Sequence, residues 1–410
     1  MKKSCIDSDE KKLWNKNFIL LWMGQLVSSL GDSFYTMALS VFTLDLTGSV
    51  AILGIVKSLS LIPRIIISPF AGAVVDANDR KKIIVLSDFI SGIAIGLIFL
   101  AVIFGYKKVW ILLVVGFVLG ITSCFFDPAI NSVIPDIVHR DNLVKANSSI
   151  SMIYEGTNII GSACAGILIK VIGVPLLFLF NSISFIFSAT SEMFINIPEN
   201  LIVHRKTNYF KDIFYGAKYV VKNKGLVYLY IVVSVLNFFG SLGFMLVLPY
   251  FKVTEGLGIG SYGISLSCSS IGLIIGFTIL SKIDYDKANR YILFVLSGFI
   301  TSIAMIMLVF VKNNFIAMVL LFFNGFGISI TNSILQVTFQ KIVPSELRGK
   351  VFGFKKMLGL LLVPIALSCG GALAEVLSID IVLIASYGIM FILFFSTIFV
   401  KEIKDCINIA

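Results

Sequence analysis

A basic turn decides the fold of this chain: Gly72-Ala-Val-Val-Asp76-Ala-Asn-Asp-Arg80-Lys81-Lys82. It separates two apolar segments, Val50–Val75 and Ile83–Phe104. Each segment is longer than the roughly 20 residues that a helix needs to cross a bilayer core, so the turn lies at a membrane face. Because Lys and Arg concentrate in cytoplasmic loops, we place the turn on the cytoplasmic side. This assignment sets the orientation of every other segment.

The composition is that of a membrane protein. Of the 410 residues, 58% are hydrophobic and only 14% are charged, and the mean hydropathy is +0.98, whereas soluble domains approach a quarter charged. The apolar runs are continuous, which favours helices over a barrel of short alternating strands. The net charge of +10 comes mostly from membrane-flanking loops, so we expect no nucleic-acid partner. The cysteines and histidines lack metal-ligand spacing, and we predict neither a metal site nor a cofactor.

Hydropathy divides the chain into twelve predicted transmembrane helices. They are Phe18–Leu44, Val50–Val75, Ile83–Phe104, Val109–Val133, Leu143–Ile172, Val174–Ile197, Leu226–Phe251, Ile259–Ile283, Tyr291–Val311, Phe315–Phe339, Val351–Leu377 and Ile379–Val400. With the N-terminus inside, 26 of the 33 Lys and Arg residues fall on the inner side and 5 on the outer side. We therefore predict a multi-pass protein of the cell membrane with both termini in the cytoplasm.

The longest polar stretch, 198–225, divides the chain into two halves. We predict an N-terminal six-helix bundle at 1–197, an amphipathic cytoplasmic linker at 198–225 that lies on the inner leaflet, and a C-terminal six-helix bundle at 226–410. The halves contain related loops: Ile137–Lys145 aligns with Ile342–Lys350 at an offset of 205 residues. Two six-helix repeats joined by a linker are typical of alternating-access transporters.

The same residues resemble the major facilitator superfamily. Its signature loop matches Gly72-x-x-x-Asp76-x-x-x-Arg80-Lys81-Lys82. Two further stretches resemble the macrolide-efflux branch of the drug:proton antiporters, namely Phe126-Asp127-Pro128-Ala129 and Pro344-Ser-Glu346-Leu-Arg348-Gly349-Lys350-Val351. The resemblance covers essentially the whole chain. It implies an all-α membrane protein whose twelve transmembrane helices form two pseudo-symmetric six-helix bundles, the major facilitator fold.

The resemblance also implies a cytoplasmic gate. In the family, the aspartate that matches Asp76 is thought to hold this gate by facing the N-terminal end of helix 11, while the residue that matches Arg80 binds acidic partners. A carboxylate is stabilised at a helix N-terminus, and such a contact can form in one state and break in the other. The residues expected in the gate are Gly72, Asp76, Arg80, Asp286, Arg290, Glu346 and Arg348.

Charged residues inside the predicted spans define the candidate coupling site. A charge is energetically unfavourable within a membrane, so its presence there indicates a functional role. Asp32, Arg64 and Glu155 fall at similar depths in spans 1, 2 and 5. We predict that Asp32 or Glu155 takes up and releases a proton, while the charge of Arg64 tunes that carboxylate. An inert buried ion pair is the alternative. For the substrate cavity we predict mostly neutral groups: Lys57, Asn237, Phe238, Met245, Asn324, Asn332 and Gln336.

The sequence favours a transporter over an enzyme or a channel. It has no nucleotide-binding glycine loop and no visible pore filter. We predict a monomeric secondary transporter that exports an amphipathic small molecule, such as a macrolide antibiotic or another drug, by proton antiport and alternating access. Two alternatives stay within transport, export of a siderophore and movement of a lysophospholipid. A non-transporting membrane sensor with the same fold is the alternative from another class.

Overall fold

A computed structural model describes residues 12–196, 209–282 and 290–409, and within these ranges the side chains at 23 positions, those of Asp76, Glu346 and Arg348 among them, are not described. All regular secondary structure in the described ranges is helical. Its first helices are α1 Lys16–Thr47, α2 Val50–Ala77, α3 Arg80–Ile103, α4 Val109–Ile137, α5 Leu143–Ile172, α6 Val174–Met193 and α7 Tyr209–Lys222, with a short 3₁₀ turn at Arg140–Asn142. The remainder are α8 Lys224–Met245, α9 Val247–Val253, α10 Ile259–Lys282, α11 Arg290–Leu308, α12 Asn314–Ile342, α13 Ser345–Leu377, α14 Ile379–Thr397 and α15 Lys401–Ile409.

Eleven of the twelve predicted spans each coincide with one helix, and their ends differ by at most six residues where the structure describes them. Ten helical segments of the described chain are long and apolar enough to cross a membrane, and α13 contributes a shorter apolar segment, Leu361–Leu377. The predicted amphipathic linker contains helix α7, which begins at Tyr209 and ends at Lys222. The prediction of an all-helical membrane protein is confirmed.

The structure adds two features that hydropathy did not reveal. The seventh predicted span is interrupted at Leu246, which caps α8 through a backbone bond to Gly243 before α9 begins at Val247. The chain also ends in the short helix α15, whose Ile403 and Ile407 are buried while its charged residues are exposed. Nine residues with only two buried apolar positions give too little hydropathy signal to identify such a helix in advance.

The chain divides into two compact units. The first comprises Met1–Phe42 and Leu59–Lys206, and the second comprises Thr43–Ser58 and Thr207–Ala410. In the first unit, α3 packs along α4 and α6. A core at one end of these helices joins apolar residues of α1, α3, α4 and α5, including Phe18, Ile84, Ile134 and Ile150. In the second unit, α12 packs against α10 and α11, and α13 packs against α7 and α8.

The segment Thr43–Ser58 belongs to the second unit because it packs on α13. The Ser58 hydroxyl donates to the Pro364 carbonyl at 2.7 Å. Near the other end of the segment, the Glu375 carboxylate accepts from the Ala51 amide at 3.0 Å and from the Ser49 hydroxyl. A Cβ atom on Gly371 would lie 2.5 Å from the Val50 carbonyl oxygen, so only glycine permits this approach. The predicted boundary at residue 197 assigned this segment to the first half.

Candidate functional site

Helix α1 carries two glycine–polar pairs that place its polar side chains against α6. The pairs are Gly24-Gln25 and Gly31-Asp32. They are seven residues apart, about two helical turns, so they share one face of the helix. A Cβ atom on Gly24 would lie 3.0 Å from the Ser188 hydroxyl oxygen, and one on Gly31 would overlap the side chain of Asn181. The glycines let α6 approach closely, and the polar residue beside each one then contacts α6.

Asp32 is anchored to α6 through one carboxylate oxygen. The Asn181 amide nitrogen donates to Asp32 Oδ1 at 3.3 Å. Asn181 itself is fully buried, and its side-chain oxygen accepts from the Ser184 hydroxyl at 2.9 Å, which fixes the orientation of the amide. The Asp32 side chain is nevertheless exposed. The carboxylate is therefore held in place and still accessible to a small ion.

Arg64 and Asp127 supply the other charges of this cluster. The Arg64 Nε donates to the Ser123 hydroxyl at 2.9 Å, which fixes the guanidinium against α4. Asp32 interacts electrostatically with both Arg64 and Asp127. Groups from α1, α2, α4 and α6 of the first unit thus converge on one site. Asp127 belongs to the motif Phe126-Asp127-Pro128-Ala129, and nothing in the local pattern indicated that it would act on Asp32.

Glu155, the third predicted coupling residue, shows no contact with this cluster among the described residues. Glu155 is exposed on α5, and it forms no hydrogen bond or ion pair within the described ranges. Its neighbour Tyr154 instead donates to the side-chain oxygen of Gln25 at 3.0 Å. Lys57 is half-buried in the part of α2 that belongs to the second unit. Of the three predicted coupling residues, the structure brings Asp32 and Arg64 together and leaves Glu155 apart.

A cavity of about 380 Å³ lies inside the second unit. Its wall is mostly apolar, with Phe244, Tyr387 and Phe394 among the large side chains. The predicted cavity residues that line it are Asn237, Asn324 and Asn332. The other cavity residues predicted on α8 and α12 do not line it: Phe238 packs on Phe239, Met245 is buried, and Gln336 is exposed.

Two buried polar groups in the cavity wall have no hydrogen-bond partner in the described part of the chain. Asn324 is 1% exposed, and neither its amide nitrogen nor its amide oxygen is paired. The Thr301 hydroxyl, on the neighbouring helix α11, is also buried and unpaired. Leaving such groups unsatisfied costs roughly 1–3 kcal/mol each. Both groups lie behind the accessible surface of the wall, so an uncharged ligand can pair with them once a side chain of the wall moves. Thr301 was not predicted.

The basic turn forms a short polar network at the start of α3. Asp79 caps the helix by accepting from the amides of Lys81 and Lys82. The Arg80 Nη1 lies 2.6 Å from the Asp136 carboxylate at the end of α4.

In the second unit Arg290 occupies the corresponding first position of α11 and is buried. Gly72 is half-buried in α2, Asp286 lies outside the described residues, and the side chains of Asp76, Glu346 and Arg348 are among those not described.

The apolar helices, with charged groups inside the predicted spans, are those of a polytopic membrane protein. A family model described as Major Facilitator Superfamily matches residues 21–367, and the chain belongs to this superfamily. The resemblance inferred from the sequence is thereby confirmed. The family and the curated relatives are transporters rather than enzymes.

Individual relatives are distant. The chain is 24% identical over 376 residues to macrolide efflux protein A of Streptococcus pyogenes, an alignment that covers 90% of this chain and 91% of that protein. It is also 24% identical over 353 residues to the staphyloferrin A transporter of Staphylococcus aureus, covering 84% and 85%. The crystal structure of a mutant of nucleoside transporter NupG has a TM-score of 0.72 at 14% identity and covers 93% of this chain and 98% of that one. This similarity shows a shared fold.

Proposed function

We propose that this transporter exports an amphipathic small molecule by proton antiport, as a monomer in the cell membrane with both termini in the cytoplasm. The similarity to macrolide efflux protein A over 90% of the chain supports export of a drug-like compound. Membership of the superfamily supports alternating access between two bundles, 1–197 and 226–410, with the gate residues at the basic turn and its counterpart. Protons are the proposed coupling ion.

The charge cluster around Asp32 carries the proposal. An exposed carboxylate inside a predicted span can exchange a proton with water. Because a charge within the membrane is energetically unfavourable, its presence there indicates a functional role. When Asp32 binds a proton, it loses both its attraction for the Arg64 guanidinium and its repulsion of Asp127. Proton binding thereby changes which groups hold α1, α2 and α4 together. A two-state transporter needs a change of this kind at its coupling site.

The cavity of the second unit supports an amphipathic substrate. Ligand sites are mostly apolar, with a few placed polar groups, and range from about 300 to 1,000 Å³. This cavity, at about 380 Å³, combines aromatic walls with the unpaired groups of Asn324 and Thr301. It fits a compact uncharged molecule, or one uncharged arm of a larger one. No described Lys, Arg, Asp or Glu lines it.

Everted membrane vesicles with erythromycin as the probe test the proposal. We expect added erythromycin to dissipate a preformed proton gradient, detected with a pH-sensitive dye. Asp32→Asn should reduce this response by about ten-fold or more, because the neutral amide cannot bind and release a proton. Glu155→Gln, measured separately, decides whether the second predicted carboxylate contributes.

The matched control is Asp405→Asn, which makes the same chemical change at an exposed carboxylate of α15. It should leave the response unchanged. If Asp32→Asn vesicles export erythromycin and dissipate the gradient as the unmodified protein does, coupling through Asp32 is wrong.

The similarity to the staphyloferrin A transporter favours a second candidate, export of a siderophore. The two candidates differ in a simple phenotype. A siderophore exporter should alter growth and secreted iron chelator under iron limitation when its gene is deleted. A drug exporter should instead alter the inhibitory concentration of erythromycin with no change in secreted chelator.

A further inference from the structure

Two carboxylic side chains are buried in the first unit, away from the Asp32 cluster. Asp88 on α3 is 2% exposed, and Glu192 on α6 is 0% exposed. The two helices that carry them pack along each other. Both residues lie inside segments long and apolar enough to span a membrane. Buried Asp and Glu are rare unless they are paired, so their surroundings need an explanation.

One oxygen of Glu192 is held by neighbouring polar groups. Glu192 Oε1 accepts from the Gln25 amide nitrogen at 3.3 Å and from the Ser188 hydroxyl at 3.5 Å. Ser188 also interacts with Asp88. Gln25 is itself 2% exposed and accepts from the Tyr154 hydroxyl through its other side-chain atom. The Glu192 carboxyl group is therefore fixed by residues of α1 and α6.

One oxygen of each carboxyl group lacks a partner. Asp88 Oδ2 and Glu192 Oε2 are both inaccessible to solvent and have no hydrogen-bond partner in the described ranges. Neither residue forms an ion pair with a described Lys or Arg. The two carboxyl groups interact electrostatically with each other, and Asp88 also interacts with Asp32. Tyr154 on α5 interacts electrostatically with both carboxyl groups, and also with Asp127 on α4 and with Asp32.

Two ionised carboxylates cannot coexist in this setting without a compensating positive charge. Transferring even one unpaired carboxylate into a protein interior costs several kcal/mol, and a second like charge adds repulsion. A proton removes one of the two charges. The protonated oxygen becomes a hydrogen-bond donor, and both carboxyl groups lie close enough to interact with the same Ser188 hydroxyl. A metal ion fits less well, because no group of three or more His, Cys, Asp or Glu is found among the described residues.

We propose that Asp88 and Glu192 share one bound proton and form a proton-binding site distinct from Asp32. The two sites are connected through α1, because Gln25 contacts Glu192 and Asp32, on the same face, contacts Asn181. Movement of α1 against α6 therefore changes both sites together. Exchange of the shared proton during transport rests on the proposed proton antiport. The presence of a proton on the pair does not depend on that proposal.

Infrared spectroscopy of the purified full-length protein in lipid nanodiscs tests the shared proton. A protonated carboxyl group has a C=O stretching band that a carboxylate lacks. At pH 7 the spectrum of the unmodified protein minus that of Asp88→Asn/Glu192→Gln should show one such band, with a shift in D₂O. Each single variant should keep the band at a changed frequency, because one acid remains. Asp32→Asn should leave the band of this pair in place.

Several outcomes would overturn the proposal. One is a spectrum in which both groups absorb only as carboxylates. Another is loss of the band when NaCl replaces an inert salt at constant pH, which would identify a cation site instead. If the double variant fails to fold, the D₂O shift in the unmodified protein and the two single variants still decide between these results. A band that is present while erythromycin moves no protons would contradict the proposed antiport and leave the shared proton standing.

Discussion

Asn324 illustrates how a single residue can be retained at a cost in stability. An amide buried at 1% exposure with both polar atoms unpaired is unfavourable for the folded protein by itself. An apolar residue of similar size would fill the same space without that penalty. An asparagine at this position is explained if a ligand supplies the missing hydrogen bonds at some step of the transport cycle.

Replacing Asn324 with leucine should separate stability from transport. We expect Asn324→Leu to raise the free energy of unfolding in detergent by about 1–3 kcal/mol, because the unsatisfied amide is removed. Transport of erythromycin should fall, because the cavity loses its donor and acceptor. Asn332→Leu, on the same helix but exposed, should change stability much less. Thermal melts of the purified variants measure the effect, and a lower melting temperature for Asn324→Leu would show that the amide is satisfied within the protein.

The residues of the site were partly predictable from the sequence. Asp32 and Arg64 were identifiable because a charge within an apolar run is conspicuous at any position. Asp88 and Glu192 lie nearer the ends of their spans, where a carboxylate is ordinary. Their burial depends on how α3 packs on α6 and on the approach of α1 at Gly24. Such contacts join residues far apart in the sequence and leave no local signal.

At the level of elements, the helices were predicted well because hydropathy and basic loops act over about 20 residues at a time. The break at Leu246 depends on a single backbone cap, and the docking of α15 depends on two buried isoleucines. Neither feature changes the mean hydropathy of a window of about 20 residues enough to be detected. The sequence also contained no indication that Thr43–Ser58 packs with the second unit. This packing follows from hydrogen bonds to α13 that involve Ser58, Pro364 and Glu375.

The close packing on α13 at Gly371 predicts a strong size dependence. A leucine there would force the backbone near Val50 away, since even a Cβ atom would lie 2.5 Å from its carbonyl oxygen. We expect Gly371→Leu to destabilise the second unit by about 1–3 kcal/mol or more, the usual cost of overpacking. Gly388→Leu is the matched control, because a Cβ atom there meets nothing within 4 Å. Equal melting temperatures for the two variants would contradict the packing described here.

At the scale of the whole molecule, the two units repeat a specific polar contact. In the first, the Ser91 hydroxyl on α3 lies 2.8 Å from that of Thr122 on α4. In the second, the Ser297 hydroxyl on α11 lies 2.8 Å from that of Thr331 on α12. The offsets between the pairs, 206 and 209 residues, fall close to the offset of 205 found for the repeated loops. The duplication inferred from the loops thus extends to the pairing of helices inside each unit.

The orientation of the molecule can be tested through its asymmetric charge. Positive residues favour the cytoplasmic side, and 26 of 33 fall there if the N-terminus is inside. Single cysteines introduced at Lys107 and Lys312, in a variant without native cysteines, should react with a membrane-impermeant maleimide in intact cells. A cysteine at Lys404, which is exposed on α15, should react only after permeabilisation. The reverse pattern would invert the topology, and the basic turn at Arg80 would then face the outside, where it could not form a cytoplasmic gate.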